Sequence, residues 1–84
     1  MTFEELIKKV TGDTLITVTA LAYDGETNVY HSFRTVYDRK TAKHIRDVES
    51  GWLATIYDAE VKSISIRGDT LWVDVIEYIC QKAF

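Results

Sequence analysis

Phe3, Leu6, Ile7 and Val10 recur at the three- and four-residue spacing of one helix face, with Glu4, Glu5, Lys8 and Lys9 between them. Thr2 stands before this run and Glu5 three residues later, the arrangement of a capping box. Acids in the first turn and lysines in the last complement the helix dipole, and Gly12 suits a stop. The spacing predicts a helix over 3–11.

The period then falls to two. Thr14–Tyr23 is rich in β-branched residues, Asp24-Gly25 is a hairpin turn signal, and Asn28–Tyr37 reads as the returning strand. A loop of two or four residues pairs even positions of the first strand with odd positions of the second. One face then carries Ile16, Val18, Ala20, Ala22, Val29, His31, Phe33 and Thr35, and is the expected core face. The other carries Leu15, Thr17, Thr19, Leu21, Tyr23, Tyr30, Ser32, Arg34 and Val36.

Val61–Arg67, Gly68-Asp69 and Thr70–Ile79 form a second hairpin pattern. Ile64, Ile66, Leu71, Val73 and Val75 share one face. Val61, Ser63, Ser65, Trp72, Asp74, Ile76 and Tyr78 share the other. Between the hairpins, 39–50 reads as a helix with Asp38 as N-cap, a stripe of Ala42, Ile45 and Val48, and Gly51 as stop. Trp52–Tyr57 reads equally as a strand or as a last helical turn.

The expected fold is α+β in one domain, 1–84: helix, hairpin, helix, hairpin, with a small mostly antiparallel sheet. The expected core is Leu6, Ile7, Val10, Ile16, Val18, Phe33, Ile45, Ile64, Ile66, Val73 and Val75, with Phe3 beside them.

Composition narrows the class. The 84 residues are 46% hydrophobic and 27% charged and include ten aromatics but no proline, which excludes a disordered tail, a collagen-like chain or a proline-rich linker. The net charge of −3 generates no strong global field toward nucleic acid or an anionic membrane. A single cysteine, Cys80, cannot form an internal disulfide, which fits a reducing compartment. The N-terminus lacks the basic and apolar regions of a signal peptide. The longest uncharged run, Thr14–Tyr23, is ten residues, against about 20 for a membrane span. A cytoplasmic location and no membrane partner are expected.

Glu4-Glu5-Leu6-Ile7-Lys8-Lys9-Val10, followed by a hairpin, Asp58-Ala59-Glu60-Val61-Lys62-Ser63-Ile64-Ser65 and Gly68-Asp69-Thr70-Leu71, resembles small uncharacterised proteins encoded in phages and prophages of Gram-positive bacteria. The resemblance covers both ends and skips the middle. It implies an intracellular phage-like setting and an α+β fold, and it carries over no site residue.

No catalytic set emerges. His31 falls on the expected core face as a half-buried packed imidazole. His44 and Asp47 make at most half a metal site, and Cys80 has no activating partner in view. There is no phosphate-binding glycine loop, no nucleophile elbow and no zinc-protease motif. The expectation is a non-enzyme with no cofactor and no metal. Arg67-Gly68-Asp69 matches the cell-adhesion tripeptide, but a hairpin tip demands those residues for the turn alone.

Two features remain. Arg34, Arg39, Lys40, Lys43 and Arg46 set five bases against one acid, Asp38, giving +4 over 34–46. Asp47, Glu49, Asp58 and Glu60 then give −4 over 47–60. The basic block reads as a nucleic-acid or acidic-partner contact, or as an ordinary solvated helix. The aromatics Tyr23, Tyr30, Trp72 and Tyr78 all fall on the second faces of their hairpins. There they form either an exposed interface or core under a cover.

The expected function is a small protein-interaction module, such as a phage-encoded inhibitor or adaptor of a host protein, binding through the aromatic face and flanking charge. The alternatives are a nucleic-acid binder using 34–46 and a self-associating structural protein. The partner is then a protein or a second copy in a homodimer, with nucleic acid the lesser expectation.

Overall fold

The computed structural model describes residues 1–50 and 56–80, with the side chains of Phe33 and of 77–80 outside the description. In chain order the elements are α1 (Phe3–Ile7), β1 (Leu15–Asp24), β2 (Val29–Thr41), α2 (Ala42–Glu49), β3 (Glu60–Arg67) and β4 (Thr70–Cys80). The strands form one sheet in the order β2-β1-β4-β3. The hairpin pairings β1–β2 and β3–β4 are antiparallel, while β1 and β4 run parallel at the centre. The class is therefore α+β, and the sheet is mixed. The more apolar strand of each hairpin lies inside, where both faces lose water. The strands carrying Arg34, Lys40, Lys62 and Arg67 take the edges.

The capping box forms as expected, with the Glu5 N–H donating to Thr2 Oγ1 at 3.2 Å and the Thr2 N–H to Glu5 Oε1 at 3.1 Å. These bonds from Thr2 hold the Glu5 carboxyl below its ordinary range. α1 nevertheless stops at Ile7 rather than reaching residue 11. The Lys9 N–H turns back to Leu6 O at 3.0 Å, a tightened last turn. Arg46 then caps the end, donating from Nη1 to the carbonyls of Ile7 and Val10, each at 3.0 Å.

α2 begins later than the sequence suggested. Its N-cap is Thr41, whose Oγ1 accepts the His44 N–H at 3.2 Å, rather than Asp38. The cause is tertiary: β2 runs on past 38 to Thr41, pairing Thr41 with Leu15 and Lys40 with Ile16.

One apolar cluster unites Phe3, Leu6 and Ile7 of α1, Ala42 and Ile45 of α2, Ile56, Ile16, Val18 and Ala20 of β1, Tyr37 of β2, and Val73 and Val75 of β4. Both helices thus cover the face bearing even β1 positions and odd β4 positions. Val10 packs partly buried against this cluster. Of the expected core, Phe33 lies outside the described side chains.

Ile64 and Ile66 are corrected: they are 46% and 78% exposed. They align with Val73 and Leu71 on the helix side. β3 is the outermost strand, however, and the helix layer centres on β1 and β4. Trp52–Thr55, most of the segment left as strand or helical turn, lies outside the described residues. Ile56 is buried, and the Ala59 N–H bonds to Ile56 O at 3.0 Å in a turn leading to β3.

The parity of the first hairpin holds only near its turn. Asp24 pairs with Val29 and Ala22 with His31, as expected. Farther from the turn come three irregularities, each inserting one extra residue into β2, so thirteen residues oppose ten. Each β-bulge reverses the facing of the residues beyond it. Arg34 therefore aligns with Ala20, Thr35 with Thr19 and Tyr37 with Val18. Arg34 and Thr35 thus exchange their expected faces, and Tyr37 joins the core.

Candidate functional site

The face of the sheet turned away from the helices is built from Thr17, Thr19, Leu21 and Tyr23 of β1 and Trp72, Asp74 and Ile76 beside them on β4. Tyr30 of β2 stands opposite Tyr23, and Ser65 and Ser63 of β3 stand opposite Trp72 and Asp74. Tyr23 and Tyr30 are brought together by a four-residue turn, 25–28, that closes between them. The Asn28 N–H bonds to Asp24 O at 2.8 Å, and Asn28 takes φ 62°. The Asp24 carboxylate caps the turn by accepting the Glu26 N–H at 2.9 Å, which holds its pKa low.

Two aromatic lobes result. In the first, the Tyr23 and Tyr30 rings lie 4.9 Å apart at 44°, and the Tyr23 hydroxyl donates to Asn28 Oδ1. Lys62 Nζ sits 4.4 Å from the Tyr30 ring centroid. These two residues belong to opposite edge strands, so the pair reaches across β4 and β1. A bulge between Val61 and Ser63 leaves Lys62 out of the ladder.

In the second lobe, Arg67 Cζ lies 4.2 Å from the Trp72 ring centroid. Beside it Arg39 Nη2 donates to Asp69 Oδ2 at 3.2 Å. The Thr70 hydroxyl, and then Arg39, hold the Asp69 carboxyl below its ordinary range. Between the lobes the floor is closed. Thr17 is 2% exposed and accepts the Arg39 N–H at 3.1 Å, and Leu21 is 8% exposed. Tyr30 itself is 40% exposed, and Tyr23 and Trp72 are half-buried.

Tyr78 does not join this alignment. A register shift between Leu21 and Ala22 pairs it with Ala22, out of step with Trp72, and its side chain lies outside the description. Cys80, paired with Asp24, has its side chain outside the description as well.

The five bases of 34–46 do not gather into one patch. Arg34 and Lys40 lie exposed along β2 and Lys43 lies exposed on α2. Arg39, exposed at a β2 bulge, reaches toward the other hairpin's tip, while half-buried Arg46 is turned onto the end of α1. His31, expected as a half-buried core imidazole, is exposed at the edge of the sheet, and His44 is exposed on α2. Among the described residues no three His, Cys, Asp or Glu side chains converge as a metal site. No described helix is long and apolar enough to cross a membrane.

The cations on the rings are what sequence reasoning missed. Arg67 was findable: a two-residue turn pairs it with Thr70, on the same side as Trp72. Lys62 carried no signal, because only its bulge turns it across the face. Each lobe offers a flat π-surface with an exposed cation on it, an arrangement that accepts carboxylates and apolar side chains together. No protein-family model, curated protein or solved structure matches the chain.

Proposed function

We propose that the protein is a non-enzymatic interaction module that takes a protein partner on the open face of its sheet. The observation that carries this reading is the placement of Tyr23, Tyr30 and Trp72 on the side opposite both helices, two of them under a cation. Tyr, Trp and Arg dominate interface hot spots because they bury large rigid areas at small entropic cost. The fitting partner presents carboxylates amid apolar side chains, which Lys62 and Arg67 meet already oriented. The resemblance of the chain's ends to phage- and prophage-encoded proteins supports an adaptor or inhibitor of a host protein in a cytoplasmic setting.

The test is affinity capture from bacterial lysate, with the mass of each complex measured for wild type, Tyr30→Ala and Trp72→Ala. Loss of the captured partner in both variants is expected. Equal capture by all three would falsify the reading.

A nucleic-acid reading draws on Lys40 and Lys43, which are both exposed. It requires binding that weakens steeply with salt and falls in Lys40→Glu and Lys43→Glu. Arg39 and Arg46 are occupied within the fold, which leaves this reading second.

A further inference from the structure

We propose that the protein pairs with a second copy of itself along β3, antiparallel, with Ser65 on the two-fold axis. This goes beyond the open-face reading and uses the sheet edge instead. β3 is an outer strand; Met1 and Thr2 pair with its start at Glu60 and Val61, but over 63–67 its outward backbone donors and acceptors meet no strand among the described residues. On its helix side it carries two conspicuously exposed apolar side chains, Ile64 at 46% and Ile66 at 78%.

Symmetry restricts the register. A two-fold axis perpendicular to the sheet preserves each side chain's face, so paired residues must share parity. The pairing is therefore centred on a residue. The regular part of β3 is bounded by the bulge at Lys62 and by the turn after Arg67, leaving 63–67, whose centre is Ser65. Centring there pairs the whole regular stretch: Ser63 with the partner's Arg67, Ile64 with the partner's Ile66, and Ser65 with itself.

Both faces admit that register. On the helix side four isoleucines form one row that continues the Leu71 and Val73 row of β4. On the open side, Ser63 Oγ donates to Asp74 Oδ2 at 2.8 Å. The partner's Arg67 arrives opposite Ser63 with its guanidinium kept over its own Trp72, so the Ser63–Asp74 bond and the Arg67–Trp72 contact both persist in the dimer. Burial of the exposed Ile64 and Ile66 and closure of the backbone row between them therefore carry the pairing. The other edge also exposes apolar side chains, Val29 and Tyr30, but lacks a regular stretch as long as 63–67. β2 is broken by three bulges, so no regular stretch of it is long enough to pair with a second copy in one register.

The first test is sedimentation equilibrium across concentration for wild type, Ile66→Lys, Val29→Lys and Tyr30→Ala. A dimer of twice 9.7 kDa is expected. Ile66→Lys should raise its dissociation constant by about tenfold or more. Val29→Lys, on the other edge, and Tyr30→Ala, on the open face, should leave it unchanged. A failure of the open-face reading is thereby separable from a failure of this one.

The second test fixes the register without relying on a charged substitution. Directly opposed antiparallel residues have Cα atoms about 4.5–5.5 Å apart, within disulfide reach. In a Cys80→Ser background, Ser65→Cys should oxidise to a covalent dimer, and Ser32→Cys on β2 should not. A monomeric wild type at about 1 mM, an unaltered dimer in Ile66→Lys, or cross-linking through Ser32→Cys in place of Ser65→Cys overturns the proposal.

Discussion

Glu49 sits in the last turn of an amphipathic helix, where an acid is ordinarily solvated, yet it is 2% exposed. Its carboxylate accepts the Tyr37 hydroxyl and, at 2.9 Å, the Ile56 N–H, so it ties β2, α2 and the segment before β3 together. Burial, and then Glu49, push the Tyr37 hydroxyl well above the ordinary phenol range. Removing the carboxylate strands a buried N–H and a phenol. Glu49→Ala should therefore cost about 2–3 kcal/mol, and Tyr37→Phe about 1–2 kcal/mol, in urea unfolding. Arg39 holds φ 52°, a conformation that penalises β-branched side chains. Arg39→Val should be about 1–2 kcal/mol less stable than Arg39→Gly in the same measurement. Asp24 carries a pH signature. Its folded pKa lies below the unfolded value, so its stabilisation is complete above about pH 4 and is lost as pH falls toward the folded pKa. Asp24→Ala should flatten the decline of melting temperature on acidification through that range.

At the scale of elements, α1 shows how far local chemistry reaches. Thr2 and Glu5 announce its start, and both capping bonds form. Its end was not legible, because the residue that closes it, Arg46, lies 39 positions away. β2 shows the opposite case. Nothing in 29–41 marks three bulges, since a bulge answers the twist and packing of the partner strand rather than any local preference. Parity counted from the turn consequently failed for Arg34 and Thr35. It held across the tight β3–β4 turn as far as Ser63, and there Ile64 and Ile66 faced the expected side. They were still not core, because facing inward buries a side chain only where another layer lies above it. Ile45, fully buried on α2, and Ile66 therefore separate sharply. Ile45→Ala should cost about 3 kcal/mol. Ile66→Ala, measured at concentrations where the chain is monomeric, should change stability by less than about 0.5 kcal/mol.

At the scale of the molecule, the parallel pairing of β1 with β4 assembles the candidate site. It sets Trp72 beside Thr17 and brings one hairpin's Tyr23 and Tyr30 onto the same surface as the other hairpin's Lys62 and Arg67. The aromatic positions Tyr23, Tyr30 and Trp72 were legible from strand periodicity, while the cations above them depended on this assembly. The Tyr30 ring is exposed and the Trp72 ring half-buried, so Tyr30→Ala should shift the unfolding free energy by about 1 kcal/mol or less and Trp72→Ala should cost about 1–2 kcal/mol. Circular dichroism of both variants should match wild type, so any loss of partner capture then reports on the surface rather than on the fold.

The sequence by itself determined the capped first helix, the two hairpins with their turns, the second amphipathic helix and hence the α+β class. Those features rest on contacts between residues near one another in the chain, where periodicity, capping and turn chemistry act directly. Only the tertiary structure decided the strand order, the parallel centre, the bulged register of β2, the inward roles of Glu49 and Arg46 and the exposure of Ile64 and Ile66. Each of these depends on which distant segment supplies a cover, a strand partner or a counter-charge.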